Sequence, residues 1–139
     1  MTLPLWFKDH TLEEPLSLVL FDSEGVPLFS HSGKWLHPLL AAQAFIDENA
    51  LNGGELLLHD RIGGRAAAAL TILMGIKRVK VDLMSSLAAN LYDHYGVAYH
   101  NEALVERIAC QTERLITDQM SLEEIASFIE GRVASAPSF

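Results

Sequence analysis

Cysteine is nearly absent: Cys110 is the one thiol in 139 residues. A single cysteine closes no intramolecular disulfide and builds no cysteine-based zinc cage within the chain. Positive charge is also scarce. Ten lysines and arginines face eighteen aspartates and glutamates, a net charge of −8. So acidic a chain lacks the basic surface on which nucleic-acid binding rests, and no nucleic-acid partner is expected. No stretch reaches the roughly 18 apolar residues of a membrane span. The opening MTLPLWFKDHTLEEP has no basic stretch followed by a long apolar run, as a signal peptide would. No membrane partner and a cytoplasmic location are therefore expected. No repeat, low-complexity tract or linker divides the sequence.

What is there is apolar: half the residues are hydrophobic, enough to fill the core of one domain spanning residues 1–139. Residues 1–14 read as an N-terminal extension, with a short helix packing Trp6 and Phe7 on the body. Residues 134–139 read as a frayed tail. Leu16–Phe21 and Val26–Phe29 are predicted strands joined by the turn Asp22-Ser23-Glu24-Gly25, with Pro27 marking an edge strand. A loop, Ser30–Lys34, leads to a helix over Leu36–Ala50, which Asn52-Gly53-Gly54 stops. Leu56-Leu57-Leu58 opens a strand that ends in His59-Asp60-Arg61, and a helix starts after Gly63-Gly64 and runs to Gly75. Arg78–Leu83 is a strand. A helix capped by Ser85 or Ser86 runs to about Tyr95, and Val97–Tyr99 is a short last strand. Glu102–Leu115 is ambiguous, with Leu104, Val105, Ile108 and Leu115 at helical spacing. Ser121 and Glu124 form a capping-box signature before a helix to about Arg132. The order implies an α/β domain with a mixed sheet and helices on both faces.

The strand–glycine–helix junction is the main candidate site. Such a junction sets helix N–H groups and polar side chains at the end of a sheet, where α/β proteins bind ligands. In one reading Gly63, Gly64 and Arg65 hold an anion, and Asp60 orients a polar group or acts as a general base. In the other, the glycines only let the helix pack tightly and Arg61 pairs with Asp60. Neither a Walker A loop nor a dinucleotide fingerprint is present. The Ala66–Ala69 run points to close packing. Lys34, on the loop after the second strand, has two readings: the loop lies near the same sheet edge as Asp60, within reach of a ligand phosphate or carboxylate, or it is simply solvated. The six histidines show no metal-ligand spacing, so neither a metal nor another cofactor is expected. No nucleophile elbow supports serine hydrolase chemistry. Cys110, among apolar neighbours, reads as a small buried hydrophobe.

The runs Gly33-Lys34-Trp35-Leu36-His37-Pro38-Leu39-Leu40 and Asp60-Arg61-Ile62-Gly63-Gly64-Arg65-Ala66-Ala67-Ala68, followed by Val79–Ser85, carry a resemblance. Over about residues 16 to 125 the chain resembles an uncharacterised bacterial and archaeal family frequent in anaerobes. Its members carry Gly-Ile-x-Pro-Leu-Leu and Asp-Lys-Val-Val-Gly-Lys-Ala-Ala-Ala at these places. The resemblance implies a cytidine-deaminase-like fold, a three-layer α/β/α sandwich around a mixed five-stranded sheet, without the deaminase zinc site. The chain indeed has no P-C-x-x-C. Asp60, Gly63 and Gly64 match or nearly match the second motif, and Arg65 stands in place of its lysine. Where the family often has Cys-Pro-Met-Glu, this chain reads Met120-Ser121-Leu122-Glu123 and keeps only the glutamate. A small anionic metabolite or nucleotide bound near Asp60, Gly63, Gly64 and Arg65, with Lys34 and Glu123 nearby, is the leading expectation. A non-catalytic regulatory or interaction module, with a homodimer formed through an exposed apolar patch, is the alternative.

Overall fold

Leu18–Phe21, four apolar residues in succession, are all buried and form β1 in the interior of a sheet. The computed structural model describes residues 2–108 and 115–135, with side chains to Arg132; Cys110 and residues 136–139 lie outside the described residues. Asp22 makes the first turn. Its carboxylate accepts from the backbone N–H of Glu24 and Val26, both at 2.9 Å, while Gly25 takes a φ of 88° that favours glycine. The chain returns as β2 (Pro27–His31), antiparallel to β1, with Pro27 opening an edge strand where no ladder donor is needed. Next come α2 (His37–Glu48), a short 3-10 turn, β3 (Leu57–Gly63), α3 (Arg65–Leu73), β4 (Arg78–Ser85), α4 (Ser86–His94) and β5 (Ala98–Val105). The helix α1 (Leu5–Lys8) precedes the sheet, and α5 (Leu122–Ser135) follows it.

The sheet has the order β2-β1-β3-β4-β5. β1 is antiparallel to both neighbours, while β3, β4 and β5 are mutually parallel. The connections β2–α2–β3, β3–α3–β4 and β4–α4–β5 all step across the sheet in one direction. With one handedness they deliver their helices to one face. Leu39, Ala42 and Ile46 of α2, Ala66–Leu70 of α3, Tyr92 of α4 and Ile125 and Ile129 of α5 accordingly share a core with Leu18, Leu20, Leu58, Val79 and Val81. The second face is covered by α1 and the segment after it. There Leu3, Phe7 and Leu12 pack on Val19, Phe21 and Leu57. The expectation of helices on both faces thus reduces to α1 alone on the second face, because every crossover advances the same way.

Several boundaries differ from the sequence reading: β2 runs to His31, into the predicted loop, β3 to Gly63, into the predicted turn, and β4 to Ser85. β5 runs to Val105 rather than ending at Tyr99, and it takes Leu104 and Val105 from the region with helical spacing. Parallel pairing with β4, through Val105 opposite Ser85, satisfies their backbone and overrides the weak local period. At the C-terminus the helix continues to Ser135, beyond Arg132. The four alanines of α3 are all buried, with Ala68 and Ala69 fully so. The capping box is made: Ser121 Oγ accepts from Glu124 N–H at 3.1 Å, and Glu124 Oε1 accepts from Ser121 N–H at 3.0 Å.

Candidate functional site

β3 brings two titratable side chains into the protein interior, one on each face, because successive strand residues point to opposite sides. Asp60 belongs to the helix-bearing face and is 7% exposed; His59 belongs to the other and is fully buried.

Asp60 lines a cleft of about 400 Å³ at the carboxyl end of β3. Lys34 and Trp35, from the β2–α2 loop, line the same cleft, as do Ser17 and Arg61. Topology explains the meeting. β2 and β3 run in the same direction, with β1 reversed between them, so the loop leaving β2 emerges beside the end of β3. This is the edge at which α/β sheets place ligands. Trp35 holds a φ of 58°, a left-handed conformation costly for a bulky side chain. Burial is the main cause that pushes the Asp60 carboxyl up to about 8, with the Asp82 charge adding to it and the Arg61 backbone N–H opposing it. At neutral pH this carboxyl therefore holds its proton and has a hydrogen to offer. The formal charges lining the cleft are then Lys34, Arg61 and the outlying Glu14. Arg61 does not pair with Asp60. Its guanidinium donates to the carbonyls of Leu12 at 3.2 Å and Leu16 at 2.5 Å, and it lies 3.7 Å from Glu14.

The other sequence-derived residues sit elsewhere. Gly63 is buried against β4: a Cβ there would lie 3.0 Å from Val81 Cγ1 and 3.8 Å from the Ala67 Cβ. It serves close helix–sheet packing. Gly64 caps α3 with a φ of −99°, open to any residue. Arg65, 7% exposed, turns away from the cleft. It donates to the Ile116 carbonyl at 3.1 Å and pairs with Asp118 at 2.8 Å, lining a separate cavity of about 160 Å³ with Asn90, Thr117 and Met120. Glu123 is exposed on the first turn of α5 and lines neither cavity.

The sequence reading missed the network on the second face. His59 Nε2 lies 2.7 Å from Asp82 Oδ1, and its Nδ1 lies 2.7 Å from the Nδ1 of His10. Beside it Lys80, 2% exposed, donates to the carbonyls of Lys8 and His10, the latter at 2.7 Å, and pairs with Glu102 at 3.0 Å. The available signal was the period of two: His59, Lys80 and Asp82 fall on strand positions facing away from the helices. No group of three or more histidine, cysteine or acidic residues placed to hold a metal ion occurs among the described residues. No helix among them is long and apolar enough to cross a membrane.

A family model described as TM1506, domain of unknown function (DUF1893), matches residues 8–132. No curated protein matches the chain. Among solved structures, the chain is similar to that of a DUF1893 family protein, TM1506, from Thermotoga maritima. The TM-score is 0.75 at 22% identity, over 84% of this chain and 80% of that one. At that identity the likeness speaks for the fold.

Proposed function

The chain belongs to the DUF1893 family, and on that premise we propose that the cleft at the carboxyl end of β3 binds a small anionic metabolite or nucleotide. One observation carries the reading: Asp60, more than nine-tenths buried, lines a cleft that also takes Lys34 and Arg61. A protonated Asp60 adds a donor and no repulsion, so the cleft favours an anion below pH 8. Lys34 supplies the mobile charge, Trp35 a face for an apolar or aromatic portion, and Arg61 a fixed charge at the wall. If a reaction occurs there, Asp60 acts first as proton donor. Gly63, Gly64 and Arg65 serve the site indirectly, by seating α3 and tethering the Ile116–Asp118 segment. Glu123 has no part in it. The cytidine-deaminase-like three-layer arrangement belongs to the same proposal; α1 on the second face, opposite α2–α5, supports it.

The test is a thermal-shift screen with inorganic phosphate, nucleotides and phosphorylated metabolites against wild type, Lys34→Glu and Asp60→Asn. The reading expects a hit whose stabilisation is lost in Lys34→Glu. Hits that act equally on wild type and Lys34→Glu would remove the site.

A second reading, an interaction module without catalysis, rests on β5. It is an edge strand, no described strand pairs with its outer side, and Ala103 and Leu104 are exposed. Such an edge adds a strand from a partner or from a second copy. Multi-angle light scattering separates a homodimer from a monomer, and Leu104→Lys should return any dimer to monomer.

A further inference from the structure

The histidine pair on the second face has a proton arrangement that its contacts dictate. Two ring nitrogens 2.7 Å apart, His10 Nδ1 and His59 Nδ1, share a single proton. The Asp82 carboxylate, 2.7 Å from His59 Nε2, only accepts, so that nitrogen carries hydrogen. A neutral His59 then presents a bare Nδ1, and the shared proton sits on His10 Nδ1. The lone pair of His10 is thereby fixed on Nε2, for which there is no hydrogen-bond partner among the described residues. His10 is half-buried, its ring edge-on to Phe21 with centroids 4.8 Å apart. It lines a cleft of about 480 Å³ together with Thr11, Glu13, Phe21, Pro27 and Ser30. That cleft shares no residue with the Asp60 cleft.

We propose that His10 is a general base, oriented by His59 and Asp82, serving a second small-molecule site for an uncharged or cationic ligand that bears a hydroxyl or brings a water. The ligand class follows from the walls. Phe21, Val19 and Leu16 offer an apolar floor, and among the described residues Glu13 is the one carboxylate in the lining and no lysine or arginine joins it. A phosphate would meet only repulsion there.

In the step the ligand's O–H bond breaks, its electron pair stays on oxygen, and the proton joins His10 Nε2. His10 Nδ1 can then pass its own proton to His59 Nδ1, which brings the positive charge beside Asp82. Burial, His59 and Lys80 hold His10 below the usual histidine range, while Asp82 and Glu13 oppose them; the base is therefore unprotonated at neutral pH. The backbone of His10 is held by Lys80, itself paired with Glu102, so the ring is presented from an anchored segment.

The decisive measurement is long-range proton–nitrogen NMR of the full chain at pH 7.5, which reads histidine tautomers directly. The inference expects the Nδ1–H form for His10 and the Nε2–H form for His59; an Nε2–H form at His10 overturns it. A functional readout uses p-nitrophenyl acetate, a neutral ester with an aromatic ring. Water gives its proton to His10 Nε2, its oxygen attacks the ester carbonyl, and p-nitrophenolate leaves with the bond pair. The rate should rise with pH through a midpoint below 6.5 and then level off. It should fall at least about tenfold in His10→Gln. In Asp82→Asn the plateau should drop and the midpoint move lower still, because the carboxylate that favours the imidazolium is gone. A rate unchanged in His10→Gln, with both proteins folded by thermal melting, refutes the base.

Discussion

Asp60→Asn should stabilise the protein, and the gain should grow with pH. The carboxyl is raised from 3.8 to about 8, chiefly by burial. Between pH 4 and pH 8 the native state keeps a proton that the unfolded chain has released. The unfolded state binds fewer protons, so the unfolding free energy falls as pH rises, by about 1.4 kcal/mol for each pH unit. By pH 7 the cost of carrying this aspartate is roughly 4 kcal/mol, a large part of the stability of an ordinary domain. Asparagine has nearly the same shape and does not titrate. Every other group titrates alike in both proteins and cancels in the difference. Urea unfolding at pH 5, 6, 7 and 8 gives that difference as a function of pH. The gap between variant and wild type should widen by about 3 kcal/mol from pH 5 to pH 7, a shift of roughly 2 M in the relative midpoint at an m-value of about 1.5 kcal/mol/M. It should level off above pH 8. A constant gap across the range would mean that Asp60 titrates as an exposed carboxylate, and the hydrogen-bond donor assigned to the cleft would go with it.

The glycines offer a graded test of packing. Gly53→Ala sets a Cβ 2.1 Å from the Met74 carbonyl oxygen, which is backbone and cannot yield, so about 3 kcal/mol and a melting temperature roughly 10 °C lower are expected. Gly63→Ala meets a Val81 methyl at 3.0 Å, which can give by a few tenths of an ångström, and should cost about 1 kcal/mol by the same melting assay. Lys80→Met removes the donor shared by the Lys8 and His10 carbonyls and leaves Glu102 without that partner. A loss of about 2–4 kcal/mol is expected. In hydrogen exchange, the amides of Phe7–His10 should lose protection ahead of β3 and β4.

The parts legible in the sequence were those decided locally. Asp22–Gly25 specifies its turn through one carboxylate, Ser121 and Glu124 cap each other, and Ala66–Ala69 announce a helix pressed against a sheet. Lys34 and Asp60 line one cleft because strand direction brings the loop after β2 beside β3, and that direction follows from the order of elements. What escaped was decided by partners far along the chain. β5 extends because β4 offers it a ladder, and no local propensity in Asn101–Val105 reports that. His10 and His59 are 49 residues apart, so no spacing rule links them. Arg65 followed the motif in sequence but not in space: as the first residue of α3 it reaches toward Ile116 and Asp118, away from the strand end that holds Asp60.

Asp60 and His59 are neighbours on one strand, and the two faces they serve are not electrically independent. Asp82 sits on the second face, bonded to His59, yet its charge adds to the upward push on Asp60. The coupling passes through a sheet one residue thick, where the surroundings are apolar and screening is weak. Burial remains the larger cause, so removing the charge cannot return Asp60 to the ordinary carboxylate range. It should still move it. In Asp82→Asn, the carboxyl carbon of Asp60, followed by NMR between pH 5 and pH 9, should titrate at lower pH than in wild type. The shift should persist in high salt, because the intervening path excludes ions. An unmoved titration would show that the sheet insulates the two sites from each other. A shift abolished by salt would show that the charge is felt through solvent around the edge.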